Sequence, residues 1–149
     1  MEQTTGRTPR VTSLGREECV ALLASVAIGR LALTINALPA IRCVKFELTA
    51  DHVVFRVAPT STLRQAAAGV VAFQADDYDP SGMHGWWVQV IGLCEEVTDP
   101  LLLADLRSLP LEPWALGERA DNVFRVPLSS VTGVRVLWQD VGRPEARLT

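Results

Sequence analysis

The 149-residue sequence predicts a mainly β fold, about six antiparallel strands curled into a barrel with short helices at its periphery (α+β by some schemes). Three observations carry that expectation. Apolar and polar residues alternate at period two in several short runs. Brief turn signals separate the runs, which favours antiparallel neighbours over crossover connections. Only two segments carry a clear helical stripe. Short strands in this number usually close on one another, because closure removes exposed edges.

Each element follows in order. Residues 1–12, rich in Thr, Arg and Gly, read as a flexible tail; one domain spans 13–140, and 141–149 is a second tail. Gly15 serves as N-cap of the first helix, and Glu17 and Glu18 occupy its first turn, where the helix dipole favours carboxylates. Leu14 and Cys19 stand at the positions of a hydrophobic staple, Leu22, Leu23 and Val26 continue the stripe, and Gly29 lies just past the helix end. Residues 31–35 form a strand, 36–39 its turn, 41–48 and 53–57 the next two strands. Pro59, Thr60 and Ser61 break the pattern and offer hydroxyl caps to a short helix over 63–68, which Gly69 ends. A strand over 70–75 follows. Residues 76–85 hold three Asp, one Pro and two Gly and read as a loop; 86–97 is the longest strand, with Gly92 marking a bulge. Asp99 caps and Pro100 opens the second clear helix, whose stripe is Leu102, Leu103, Leu106 and Leu109. Residues 123–126 and 131–138 supply the last strands.

Composition narrows the function classes. A net charge of −3 argues against nucleic-acid binding through a broad basic footprint. No apolar run approaches the roughly 20 residues that span a bilayer, and the polar residues 1–10 lack the apolar core of a secretion signal. Cys19, Cys43 and Cys94 are odd in number, far apart and set among apolar residues, so buried thiols in a reducing cytoplasm are expected. Their spacing with His52 and His84 suits no metal site.

The ligand-site candidates are Arg42, Cys43, Val44 and Lys45 on one strand, with the loop Pro59, Thr60, Ser61 and Thr62. Arg42 and Lys45 are three positions apart and face opposite sides of an ideal strand. Taken alone, each is more often a solvated strand residue, and Thr60–Thr62 more often a plain helix cap. Trp86 and Trp87 point to opposite faces, one to the core and the other to a cleft or interface. Gln74 reads as a surface amide, and His52 and His84 as exposed loop residues. Asp76, Asp77 and Asp79 lack the terminal Glu of a calcium loop and read as solvated. Neither a nucleophile–base set nor paired catalytic carboxylates emerge, so no catalytic residue is assigned.

Several segments together resemble the pyridoxamine 5′-phosphate oxidase-like, flavin-binding split-barrel family. They are Ile28-Gly29-Arg30-Leu31-Ala32, Leu38-Pro39-Ala40-Ile41-Arg42 with Val44 and Phe46, Val53-Val54-Phe55-Arg56, Val71-Ala72-Phe73-Gln74-Ala75-Asp76-Asp77, Gly85-Trp86 with Val88, and Glu95-Glu96-Val97-Thr98-Asp99-Pro100. The resemblance runs from Leu14 to about Val136. It implies a split β-barrel, a homodimer, and flavin mononucleotide (FMN) in a cleft between the subunits as the partner of a small-molecule substrate. It also implies backbone contacts from the strand holding Arg42, Cys43, Val44 and Lys45, phosphate contacts at Arg42 and Ser61, and a ring contact at Trp87. The sequence departs from the family pattern at Cys43 (usually Pro), Lys45 (usually Asn), Val57 (usually a hydroxyl residue), Thr60 (usually Gly) and Thr62 (usually Lys). Lys45 and Arg64 are the cations placed to replace that lysine. Three functions stay open: an FMN-binding oxidoreductase, a deazaflavin-dependent reductase, and a non-enzymatic barrel without a tightly held cofactor.

Overall fold

A computed structural model describes residues 6–57, 62–111 and 122–141. Along the chain run β1 (Arg7–Ser13), α1 (Arg16–Ala24), β2 (Ile28–Ile35), β3 (Leu38–Leu48), β4 (His52–Val57), α2 (Thr62–Ala67), β5 (Val70–Tyr78), β6 (His84–Leu93), β7 (Glu95–Glu96), α3 (Pro100–Arg107), β8 (Asn122–Pro127) and β9 (Val131–Asp140). The strands lie in the order β1-β9-β6-β5-β2-β3-β4-β8-β7, with every pairing antiparallel. This curled sheet is a split β-barrel, with more strands than the sequence suggested.

The barrel interior collects the inward residues of β2, β4, β5, β6 and β8, among them Leu31, Phe55, Phe73, Val88 and Phe124, all fully buried. Phe46 and Phe73 meet edge to face with centroids 4.8 Å apart. α1 closes this core through Cys19 and Leu23. Gly15 caps it as expected, with extended dihedrals and no side chain to contribute. A second, smaller core under α3 joins Leu106 to Val54, Val97, Leu111 and Val123. The Asp99 carboxylate accepts the Leu101 amide at 2.9 Å and Pro100 begins the helix, as the sequence predicts.

Several expectations need correction. Residues 7–13 are no tail but an edge strand paired with β9 from Arg7↔Asp140 to Ser13↔Val134. All seven are exposed, so no apolar period could announce them; the backbone ladder and the Arg7–Asp140 ion pair at 2.9 Å hold them. Gly29 does not end α1. It lies within β2, where an added Cβ would come within 2.2 Å of the Phe73 ring, so the residue is small because an aromatic crosses over it. Leu38 and Pro39 belong to β3, and the β2–β3 turn is the pair Asn36 and Ala37, both left-handed (φ 49° and 64°), as a two-residue hairpin of this twist requires. Asp76, Asp77 and Tyr78 continue β5, pairing with β6 from Asp76↔Trp87 to Tyr78↔Gly85. Gly92 pairs in register with Val71 rather than bulging, and the predicted strand over 86–97 is instead two, interrupted at Cys94. Cys19 and Cys94 are buried, but Cys43 is exposed.

Candidate functional site

β3 changes character along its length. Its last residues have neighbours on both sides, with Phe46, Glu47 and Leu48 opposite Phe55, Val54 and Val53 of β4. Residues 38–45 pair with β2 on one side only, from Ile35↔Leu38 to Ile28↔Lys45. Among the described strands none pairs with their other edge. Among the described residues that edge has backbone N–H and C=O groups with no ladder partner, of the kind a planar polar ligand can take up.

The candidate residues divide by face. Arg42 stands opposite Leu31, on the side of the barrel interior, but its side chain is exposed and, among the described residues, donates only to the Ile41 carbonyl (3.0 Å). Val44, opposite Gly29, and Val57, at the end of β4, are buried in the barrel core, so their side chains cannot contact a ligand outside it. Cys43, opposite Arg30, and half-buried Lys45, opposite Ile28, lie on the outer face. Arg42 and Lys45 thus face opposite sides, as their spacing implies. Thr60 and Ser61 lie outside the described residues, and Thr62 opens α2. Trp86 is buried and Trp87 is 41% exposed on the outer face of β6. Trp87 shares its face with Cys43 and Lys45 but lies three strands from β3, roughly 14 Å at the usual strand spacing.

Arg64 is committed elsewhere. Its guanidinium holds both oxygens of Glu96 at 3.2 Å, and Glu96 also accepts the Asn122 amide. The Arg64 and Asn122 hydrogen bonds together hold the Glu96 carboxyl below its ordinary range. Lys45, by contrast, has no ion pair among the described residues.

The outer face carries a polar row that sequence reasoning missed. Arg30 donates to Asp76 at 2.6 Å and Gln74 leans on the same carboxylate at 3.4 Å; the Asp76 hydrogen bond raises the already high pKa of Arg30. In sequence Arg30 falls just before the strand expected over 31–35, and Asp76 in the loop expected over 76–85. Beside this row Ile91, Ala72, Ala32 and Ile41 form an apolar one across β6, β5, β2 and β3, with Val70 and Leu93 adjoining. Ile41, Val70 and Leu93 are each more than 60% exposed. No helix covers this face among the described residues.

The remaining candidates have structural work. Asp79 accepts the Ser81 hydroxyl (2.8 Å) and the amides of Met83 and His84, which together lower its pKa and shape the β5–β6 turn. His84 opens β6 and accepts the Trp138 amide at its Nδ1 (3.2 Å). His52, half-buried at the start of β4, is held toward its neutral form by burial and then by Arg125. Burial pushes the Cys94 thiol up to about 12 and raises that of Cys19. Among the described residues no three His, Cys, Asp or Glu converge as a metal site, and no helix is long and apolar enough to cross a membrane.

Comparison with known proteins agrees with this architecture. The chain is 40% identical over 133 residues to the uncharacterised protein Rv0080 of Mycobacterium tuberculosis, covering 85% of this chain and 86% of that one. It is 34% identical to the FAD-binding protein of Mycobacterium smegmatis, whose solved structure superposes with a TM-score of 0.69 over 83% of this chain and 95% of the other. An FAD-binding protein of Mesorhizobium loti shares the fold at 23% identity and a TM-score of 0.69, over 87% and 98% of the two chains. The sequence profile of the family described as pyridoxamine 5′-phosphate oxidase matches residues 15–135, and the chain belongs to that family.

Proposed function

We propose that this protein binds a flavin along the unpaired edge of β3 and works as a homodimer, with the uncovered outer face as the contact between copies. The one observation that carries the reading is that edge: among the described residues, 38–45 have β2 on one side only, with Cys43 and Lys45 on the adjoining outer face. Unpaired backbone groups suit the ring edge of a flavin, and Lys45, without a carboxylate partner, suits its phosphate. The bare apolar row through Ile91 and Ile41 is the kind of surface a second copy buries. When bound, a flavin supplies the redox chemistry; the chain supplies position and charge. The names of the Mycobacterium smegmatis and Mesorhizobium loti proteins favour FAD over the FMN expected from sequence. Three cysteines without disulfides fit a reducing cytoplasm.

The second reading, a barrel without tight cofactor binding, draws on Arg64. One of the two cations placed in sequence to replace the family's lysine is held by Glu96. Extraction of the purified protein followed by chromatography against FMN, FAD and deazaflavin standards separates the readings. FAD or FMN near one equivalent per subunit is expected, and Lys45→Ala should weaken its binding about tenfold. A colourless protein whose thermal midpoint none of the three raises would leave the second reading standing.

A further inference from the structure

Arg10 and Arg135 are the only described arginines with neither an ion pair nor a hydrogen bond. Arg7, Arg30, Arg64 and Arg125 sit on carboxylates, and Arg16, Arg42 and Arg56 donate to backbone carbonyls. The register places the unpaired two side by side. Arg135 stands opposite Thr12 and Arg10 opposite Leu137, so on adjacent antiparallel strands they are diagonal neighbours on one face. That face is the concave one, since Gly133, two residues before Arg135, lies against Cys19 of α1.

The same face continues onto β6 and β5. Trp86 pairs with Arg135 and His84 with Leu137, while Asp77 faces Trp86 from the other side. Together with Asp79 these residues line a cleft of about 370 Å³ at the open end of the barrel, the small end of the usual size of a ligand pocket. Its charge is graded. Asp77 and Asp79 stand on one wall, an indole and a leucine form the middle, and the Arg135 side chain stands on the β9 wall, with Arg10 as its diagonal neighbour on β1 beside the cleft. In a chain of net charge −3, two adjacent arginines left without acceptors amount to a local preference for an anion. The planar guanidinium fork matches a carboxylate in shape, and the flat apolar middle matches an aromatic ring.

We propose that this cleft binds a small planar aromatic carboxylate, its ring over Trp86 and Leu137 and its carboxylate between Arg135 and Arg10. The Asp77 wall excludes a second negative charge on the ring. The site is on the concave face at the β5–β6 turn, away from the unpaired edge of β3, and does not rest on flavin binding.

Benzoate titrated into the full-length protein by calorimetry tests it, with benzylamine as the same ring of opposite charge. Saturable binding of benzoate and none of benzylamine is expected. The double variant Arg10→Gln with Arg135→Gln should weaken benzoate about tenfold or more. Arg7→Gln, on the other face of the same strand, should leave the affinity unchanged. Far-ultraviolet dichroism and the thermal midpoint establish that each variant is folded. No saturable benzoate binding to the folded wild type, or equal binding by the double variant, overturns the proposal. Added FMN or FAD should leave the benzoate titration as it was; displacement of benzoate by flavin would mean that the cleft is part of the flavin site, and would overturn the claim of a separate one.

Discussion

β4 and β5 belong to one curled sheet, yet they solve burial differently. β4 has the barrel core on one face and the α3 core on the other, and Val53, Val54 and Phe55 are all fully buried. β5 alternates: Val71, Phe73 and Ala75 point inward, while Val70 and Gln74 face outward on the uncovered side. The sequences do not separate them, since Val70–Phe73 is as continuous an apolar run as Val53–Phe55; what covers each face does. The lesson concerns function. A strand covered on both faces has no side chain left for a partner, so ligand and subunit contacts must come from the half of the sheet where one face or one edge stays open.

The covered half should respond most strongly to substitution. Phe55 stacks on Phe124 with centroids 6.2 Å apart, and Phe55→Ala should cost about 3–5 kcal/mol in denaturant unfolding. A cost below that of an exposed substitution would mean that the barrel core is not packed as described.

Glu96 joins the two halves through Arg64 and Asn122, and its effect should be smaller. Its folded-state pKa is depressed, so its contribution is present above the unfolded value and is lost as pH falls through the folded one. Stability should therefore decline below about pH 4.3, the ordinary glutamate value, and Glu96→Gln should flatten that acid limb. Because the Arg64 side chain is 45% exposed, the loss at neutral pH should be about 1 kcal/mol or less. An unchanged acid limb in the variant would show that the pair adds nothing.

The open half should respond least in stability and most in assembly. Ile41→Lys, at an exposed position, should change unfolding by about 0.5 kcal/mol or less but convert a dimer to a monomer in light scattering. A dimer unaffected by the change would move the contact elsewhere. The thiols give the mildest probe: Cys43 should react quickly with a disulfide reagent, while Cys19 and Cys94, buried and raised in pKa, should not react until the protein unfolds.

Much of the covered core was legible in advance. Val53–Val57, the Asp99-Pro100 start of α3 and the Gly15 cap all carry local signals, because a residue that is buried or caps a helix must have the chemistry for it. β1 carried none, since its seven exposed residues are held by backbone bonds that any sequence can make. Gly29 was misread because a helix-ending glycine and a glycine beneath an aromatic ring look the same without the ring. The candidate site was half legible. Resemblance pointed to β3, but Val44 and Val57 turned inward, Arg64 was claimed by Glu96, and Arg10 and Arg135 drew no notice on separate strands.

The sequence by itself determined the strand-rich class, the starts of α1 and α3 and the apolar runs that fill the barrel, because period, caps and hydrophobicity act over a few neighbouring residues. Which edge stays unpaired, which face stays bare and which arginines lack an acceptor were decided by the tertiary structure. Each depends on pairings between segments far apart in the chain, Arg7 with Asp140 being one of them, and no local pattern records what a distant strand will or will not cover.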